Sequence, residues 1–197
     1  GERLSFTVAR DGETLVAPSE MALTLSTGEV LGESPRVRSA RRRAVTETID
    51  APLYRQSRFD AAYNELDLRL RGDYGILARA YDDGVCYRFY TERDGELTIV
   101  DETAQLNFEG DPSAYIPESD VEAYPGVYLT YDKEAKGFAA RFAECPTETS
   151  LTKRFQDVVE RSADYIARVD GRRSYPWRIV AYAATATELP VNDMVWQ

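Results

Sequence analysis

The sequence predicts an all-β protein built as an antiparallel sandwich. Apolar and polar residues alternate with a period of two in seven short stretches, the pattern of strands that have one face toward a core and one toward water. Turn-forming residue pairs separate these stretches at intervals of about ten residues, as in sandwiches of short strands. An all-β chain of 197 residues can form one unit, so we predict a single domain over residues 1–197.

The predicted strands and turns follow one another along the chain. The strands are LSFTVAR (4–10), MALTLS (21–26), NELDLRLR (64–71), GILARAY (75–81), VCYRFYTE (85–92), ELTIVDE (96–102) and GVYLTYD (126–132). The turns are Asp11–Gly12, Thr27–Gly28, Gly72–Asp73, Asp83–Gly84, Asp94–Gly95 and Lys136–Gly137. In the hairpin over residues 78–89, we expect Asp83–Gly84 to supply the positive φ of a tight turn.

Two stretches near the end of the sequence do not alternate. Apolar residues recur at helical spacing over residues 151–169, so periodicity alone favours an amphipathic helix there. Residues 185–197 begin with good helix formers and then meet Pro190, which cannot continue a helix. We therefore predict a last turn followed by a linker at residues 185–197.

The charge balance excludes several classes of partner. With 24 Lys and Arg against 34 Asp and Glu, the net charge is -10, which opposes binding to a phosphate backbone. The basic run RSARRR at 38–43 is interpreted as solvated surface. Apolar runs such as IVAYAA at 179–184 are too short to cross a bilayer, so we predict no membrane span.

Residue types restrict the chemistry further. The chain has no histidine, which excludes Ser-His and Cys-His catalysis and leaves oxygen ligands for hard cations such as calcium. Cys86 and Cys145 lack the spacing of a zinc or redox motif, and we interpret them as small buried apolar residues, with a disulfide between them as the alternative. Trp177 is expected to pack in the core, and Arg178 beside it could pair with a carboxylate.

One acidic stretch is a candidate cation site. Glu118, Asp120 and Glu122 alternate along PESDVEAYPG at 117–126, so on a strand their carboxylates share one face. Their mutual repulsion is relieved either by water, on a solvated acidic edge, or by a bound cation. The residues themselves leave both interpretations open.

Five segments resemble the N-terminal domain of glycoside hydrolase family 97, the calcium-dependent α-glucosidases and α-galactosidases of Bacteroides-like bacteria. They lie in family order from residue 63 onward, whereas residues 1–62 match only as strands and turns. The segments are YNELDLRLR (63–71), RAYDDGVCYRF (79–89), ESDVEAYPGVYL (118–129), DYIARVDGRRSYPWRIVAYA (164–183) and ELPVNDMVWQ (188–197).

The resemblance implies a many-stranded antiparallel β-supersandwich like the galactose-mutarotase sandwiches. ADYIARVDG at 163–171 would then be a strand rather than part of a helix. Family members continue into a C-terminal catalytic (β/α)8 barrel that carries the acid, the base or nucleophile and most calcium ligands. The sandwich donates one glutamate to the calcium site, and that glutamate maps onto Glu118.

These implications fix what we expect of the isolated chain. It should be inactive alone and bind no calcium stably, while the parent acts on an oligo- or polysaccharide. Gly1, with no Met before it, is typical of a processed or cloned sequence, and we expect a periplasmic or secreted protein whose signal peptide has been removed. The chain departs from the family pattern in two respects. Pro117 directly precedes Glu118, where family members have a longer connection, and the histidine that members often have near that glutamate is absent.

Two other functional classes stay open. The 13 Tyr and 2 Trp residues offer faces on which sugar rings could stack, which would suit an autonomous carbohydrate-binding sandwich. The fold alone also permits an adhesin-like surface domain.

Overall fold

The structure, a computed structural model, describes residues 1–50, 57–108, 127–128, 140–143, 150–155, 165, 167–185 and 187–188. These residues contain twelve strands and no helix. The strands are β1 Ser5–Arg10, β2 Glu13–Leu25, β3 Val30–Leu31, β4 Val37–Asp50, β5 Arg58–Leu70, β6 Tyr74–Tyr81, β7 Gly84–Phe108, β8 Val127–Tyr128, β9 Ala140–Ala143, β10 Ser150–Phe155, β11 Ala167–Ser174 and β12 Arg178–Ala181.

The chain divides into two compact units. The first comprises Gly1–Arg36 and Glu92–Arg173, and the second comprises Val37–Thr91 and Ser174–Gln197. Strand β7 contributes its beginning to the second unit and its remainder to the first. That residues 1–197 form a single domain stays a prediction.

In the first unit, β2 lies between β1 and β7, and β7 also pairs with β10, which continues to β9 and β8. The register of β2 on β7 shifts between Ala17 and Met21. Pro18 lies in this interruption, where its missing N–H removes no ladder bond. The Ser19 hydroxyl, fully buried, donates to the Ala17 carbonyl at 2.7 Å and accepts from the Asn107 N–H at 2.9 Å. This side chain therefore replaces the missing backbone pairing at the bulge.

The core of the first unit lies mainly along β2, β3 and β7. Its fully or almost fully buried apolar side chains depart from a strict period of two, because three consecutive residues of β2, Met21, Ala22 and Leu23, are all buried. They include Val16, Met21, Leu23, Leu25, Leu31, Ile99 and Ala104.

In the second unit the strand order is β4–β5–β6–β7–β12, and each pairing is antiparallel. Strands β5 and β6 are joined through Gly72 and Asp73, which both have the positive φ values of a tight hairpin turn. The buried apolar side chains of this unit include Phe59, Leu70, Tyr74, Ile76, Tyr87, Phe89 and Tyr175.

The hairpin over residues 78–89 forms, but its turn differs from the prediction. Tyr81 pairs with Gly84, so Asp82 and Asp83 form the two-residue loop and Gly84 is the first residue of β7. Gly84 is not among the residues with positive φ. The expectation that Asp83–Gly84 supplies a positive φ is therefore wrong, because the glycine lies one position beyond the loop.

The predicted turn at Asp94–Gly95 is also absent, since β7 runs unbroken from Gly84 to Phe108. Gly95 nevertheless has a φ of 81°, a conformation that glycine tolerates within a strand at a bulge. A Cβ placed on Gly171 of β11 would lie 2.6 Å from the Arg93 carbonyl oxygen and 2.8 Å from that of Gly95. The irregularity in β7 thus accommodates a close approach of β11 rather than a reversal of the chain.

The periodicity that favoured a helix over residues 151–169 is misleading. Residues 151–155 belong to β10 and residues 167–169 to β11, while most of the intervening positions lie outside the described residues. The strand implied for residues 163–171 by the family resemblance is confirmed from Ala167 onward. At residues 185–188, the Glu188 N–H donates to the Thr185 carbonyl at 3.1 Å, as a single turn would.

Among the described residues, no helix is both long enough and apolar enough to span a membrane.

Candidate functional site

The residue predicted to bind calcium, Glu118, lies outside the described residues, as do Asp120 and Glu122. Within the described part of the chain, no three His, Cys, Asp or Glu side chains are grouped so that they could hold a metal ion. The assignment of Glu118 to a calcium site therefore stays a prediction.

The structure does assemble a polar cluster in the second unit, which sequence reasoning missed. Its centre is Glu65 of β5, a carboxylate whose side chain is 4% exposed. Arg43 Nε of β4 donates to Glu65 Oε1 at 2.6 Å, and Arg79 Nε of β6 donates to Oε2 at 3.1 Å. Strand register explains this meeting, because Arg43 and Arg79 are both directly opposite Glu65.

Tyr63 extends the cluster along β5 on the same face as Glu65, two residues away. Its hydroxyl donates to Glu47 Oε1 at 2.7 Å, and its ring lies 4.9 Å from that of Tyr81, centroid to centroid. Burial and the bond to Glu47 raise the pKa of Tyr63 well above its ordinary value. This phenol therefore stays protonated and serves as a hydrogen-bond donor.

Arg79 links the carboxylate to the aromatic side chains of the cluster. Its guanidinium carbon lies 4.5 Å from the centroid of the Tyr63 ring and 4.8 Å from that of Trp177. Although burial alone would lower the pKa of Arg79, hydrogen bonding to Tyr81 and the influence of Tyr63 raise it. The residue is thus held as a cation on aromatic faces, which suits the planar guanidinium.

Trp177 is half-buried rather than packed into an apolar core. Besides Arg79, the guanidinium of Arg88 lies over its ring, 4.5 Å from the centroid. Arg178 Nη1 donates to the Trp177 carbonyl at 3.2 Å. The expected apolar environment of Trp177 is therefore wrong, because arginines on neighbouring strands cover its ring.

A second polar contact lies on the same sheet. The Tyr90 hydroxyl of β7 donates to Asp67 Oδ1 at 2.6 Å. Gly75 of β6 lies between these strands, and any side chain there would collide with the Tyr90 ring. Glycine at this position lets the tyrosine cross β6 and reach the carboxylate on β5.

Cys86 is a buried free thiol, as predicted. Burial raises its pKa to about 12, so the reactive thiolate is scarce at neutral pH. Cys145 lies outside the described residues, so its pairing stays untested. Cys86 is a packing residue of the second unit rather than a nucleophile.

The geometry of the cluster indicates a scaffold. A general acid or nucleophile needs a carboxylate that is free to reach a substrate, whereas two guanidinium groups hold both Glu65 oxygens. Arginine combines bidentate pairing with stacking on aromatic rings, which suits Arg79 to its place between Glu65 and the rings of Tyr63 and Trp177.

Comparison with known proteins connects this fold to one family. A family model described as the N-terminal domain of glycosyl hydrolase 97 matches residues 1–119. A retaining alpha-galactosidase of Bacteroides thetaiotaomicron is 27% identical over 249 aligned residues, which cover 98% of this chain and 38% of the relative. The chain thus spans about two fifths of the length of this curated relative. Because the alignment is longer than the chain, the relative contains insertions.

Solved structures support the same relationship at the level of the fold. The crystal structure of a beta-arabinopyranosidase superposes with a TM-score of 0.77 at 14% identity, covering 92% of this chain and 37% of that one. A glycoside hydrolase family 97 enzyme from Pseudoalteromonas sp. strain K8, in complex with acarbose, gives a TM-score of 0.75 at 12% identity over 95% of this chain and 34% of that one.

These neighbours and the all-strand antiparallel structure confirm the predicted all-β sandwich class. The family model also extends over residues 1–62, where the resemblance was limited to strands and turns. Since the matched residues make up more than half of the 197, the chain belongs to the family of N-terminal domains of glycoside hydrolase family 97.

Proposed function

We propose that this chain is the non-catalytic part of an α-galactosidase or α-glucosidase and forms one wall of its active site. The observation that carries the proposal is coverage: 98% of the chain aligns with only 38% of a retaining alpha-galactosidase. Glycoside hydrolysis requires two carboxyl groups at a controlled separation across the scissile bond. The most buried carboxylate of the cluster is held by two arginines. The reacting groups are therefore assigned to a C-terminal barrel.

The purified 197-residue chain should not hydrolyse p-nitrophenyl α-galactoside or α-glucoside, because it lacks the barrel's carboxyl pair. Release of p-nitrophenol is followed for this chain, for a heat-treated sample and for the polypeptide extended through the downstream open reading frame. We expect activity only in the extended polypeptide. Hydrolysis by the 197-residue chain above the heated control would place the catalytic groups within it and end the proposal.

Calcium is assigned to the complete enzyme, with Glu118 as one ligand from this domain. Calcium takes six to eight oxygen ligands in proteins, and the described residues contain no group that could hold a metal. One carboxylate assisted by water falls well short of that number. When bound, the ion would act as a Lewis acid toward a sugar oxygen, and the role of this chain is to hold the Glu118 carboxylate toward the barrel.

Isothermal titration calorimetry should therefore show no tight calcium binding by the 197-residue chain. In the extended polypeptide, replacement of one carboxylate ligand through Glu118→Gln should weaken calcium binding by about tenfold or more. The matched control is Glu122→Gln, which removes an equal charge from the same acidic stretch. Submicromolar binding by the 197-residue chain, lost in its Glu118→Gln variant, would show instead that the site is complete within this chain.

The partners and location follow from the same assignment. The domain would contact the C-terminal barrel of its own polypeptide, and the parent would take an oligo- or polysaccharide in the periplasm or outside the cell. Support comes from the Bacteroides relative and from a net charge of -10, which disfavours nucleic acid. The genomic sequence on both sides of this segment tests the assignment, since it should encode a signal peptide before it and a barrel after it.

An autonomous carbohydrate-binding module is the less favoured function. A sugar-binding platform requires an exposed aromatic face. The rings of Trp177 and Tyr63 instead contact guanidinium groups at 4.5–4.8 Å, and Tyr63 is 5% exposed. These aromatic residues serve the internal cluster.

A further inference from the structure

Strand β4 is exposed to an unusual extent for its length. It has 14 residues, and all but Val45 and Ile49 are exposed. Among the described strands it pairs only with β5, so the backbone groups along its other edge have no strand partner there. Long edge strands are templates for pairing with another chain.

The charges on β4 are divided between its two halves. The first half carries Arg38, Arg41, Arg42 and Arg43, and the second half carries Glu47 and Asp50. Within the described residues, neither Arg41 nor Arg42 has a carboxylate within ion-pair distance, whereas Arg43 is bonded to Glu65. The strand therefore presents basic groups at one end and acidic groups at the other.

This distribution makes β4 complementary to itself. If two copies pair antiparallel about a two-fold axis through Ala44, Arg41 of each copy is directly opposite Glu47 of the other. A two-fold axis perpendicular to the sheet keeps the odd-numbered residues of both strands on one face. The Arg41–Glu47 pair therefore forms twice, and opposite charges at such positions stabilise a sheet.

Glu47 can accept this additional bond. It is exposed, and among the described contacts Tyr63 uses only its Oε1 atom. The remaining oxygen, Oε2, can accept from Arg41 of the second copy while Tyr63 holds the carboxylate in place.

Neighbouring registers are less favourable. An axis through Arg42 or Arg43 places arginine opposite arginine, which destabilises a pair. An axis through Val45 places Arg43 opposite Glu47, but Arg43 is already bonded to Glu65 of its own chain. The register centred on Ala44 alone uses Arg41, the cation on that face without a described partner.

We propose that β4 is a homodimer interface, where two copies join edge to edge and antiparallel about Ala44. The dimer continues the sheet of each second unit across the axis and pairs Arg41 with Glu47 twice. The inference uses no feature of the proposed enzymatic function, so either can fail without the other.

Sedimentation equilibrium of the 197-residue chain tests the proposal. The wild-type chain should dimerise reversibly, and Arg41→Glu should raise the dissociation constant by about tenfold or more, because it turns two attractive pairs into two repulsive ones. Arg42→Glu is the matched control. It makes the same charge change on the adjacent residue, which is opposite Thr46, and should change the constant by about threefold or less.

Exchange of the charges provides the decisive variant. Arg41→Glu combined with Glu47→Arg restores opposite charges at both positions and should recover most of the lost affinity. Hydrogen exchange at high and low protein concentration should show added protection in peptides from β4 but not in those from β6. A monomer at every accessible concentration, equal effects of Arg41→Glu and Arg42→Glu, no rescue, or a dimer without protection of β4 would overturn the proposal.

Discussion

Replacing Gly32 by alanine should lower the free energy of unfolding by about 3–5 kcal/mol. Gly32 has a φ of 108°, and a Cβ there would lie 2.6 Å from the Met21 carbonyl oxygen and 3.3 Å from the Ala22 Cα. The substitution thus combines a disfavoured backbone conformation with a collision. The obstructing atoms belong to the backbone of β2, which is buried at Met21 and Ala22 and cannot move without disturbing that core.

Gly28→Ala separates the two contributions to this loss. Gly28 has a φ of 86°, but no atom lies within 4 Å of the position its Cβ would take. Its substitution should therefore lower the free energy of unfolding by only about 1–2 kcal/mol, the cost of the disfavoured backbone conformation without a collision. Urea unfolding of both variants measures the difference. Equal losses would show that the close approach of Gly32 to β2 contributes nothing.

The sequence predicted several strands that have one solvated face and missed β4, which has no buried face. Residues 4–10 and 75–81 alternate clearly, and they form β1 and β6 with bounds shifted by one residue. Strand β4 is exposed on both faces, so it has no apolar alternation to detect. The arginines of RSARRR were correctly expected in solvent, but a basic surface run does not indicate a strand.

Breaks in alternation were harder to interpret than alternation itself. Gly95 after Asp94 is typical of a turn, yet β7 continues through it because Gly95 adopts a positive φ within the strand. In β2, the register on β7 breaks around Pro18, but the Ser19 hydroxyl bonds on both sides of the bulge and the strand continues. In each case a single residue accommodates the irregularity, and the tertiary contacts that maintain it are not visible in local sequence.

The polar cluster was unpredictable for a different reason. In NELDLRLR the leucines mark the expected inward face, so the pattern placed Glu65 in solvent. The structure buries Glu65 together with Tyr63 and Phe59 on the opposite face. A carboxylate can occupy that position only because Arg43 and Arg79, which are 22 and 14 residues away in sequence, are both in register with it.

Replacing Glu65 by glutamine should lower the free energy of unfolding by about 2–4 kcal/mol. The amide keeps the shape of the carboxylate but can accept from only one guanidinium group through its single oxygen, and its NH2 group faces the other. Arg79, whose side chain is 23% exposed, would lose its counterion while it remains packed on Tyr63 and Trp177. The partly buried cation without a counterion accounts for most of the expected loss.

Asp60→Asn is the matched control, because it makes the same change on β5 at an exposed carboxylate that accepts from Thr48 Oγ1 at 2.8 Å. Its effect should stay within about 0.5 kcal/mol. In a Trp196→Phe background, which leaves Trp177 as the sole tryptophan, urea unfolding followed by fluorescence reports both stability and the surroundings of Trp177, so Glu65→Gln should also change the native emission spectrum while Asp60→Asn leaves it unchanged. If Glu65→Gln unfolded with the wild-type midpoint and spectrum, Glu65 would not hold Arg79 over the indole, and the cluster would be a set of independent contacts.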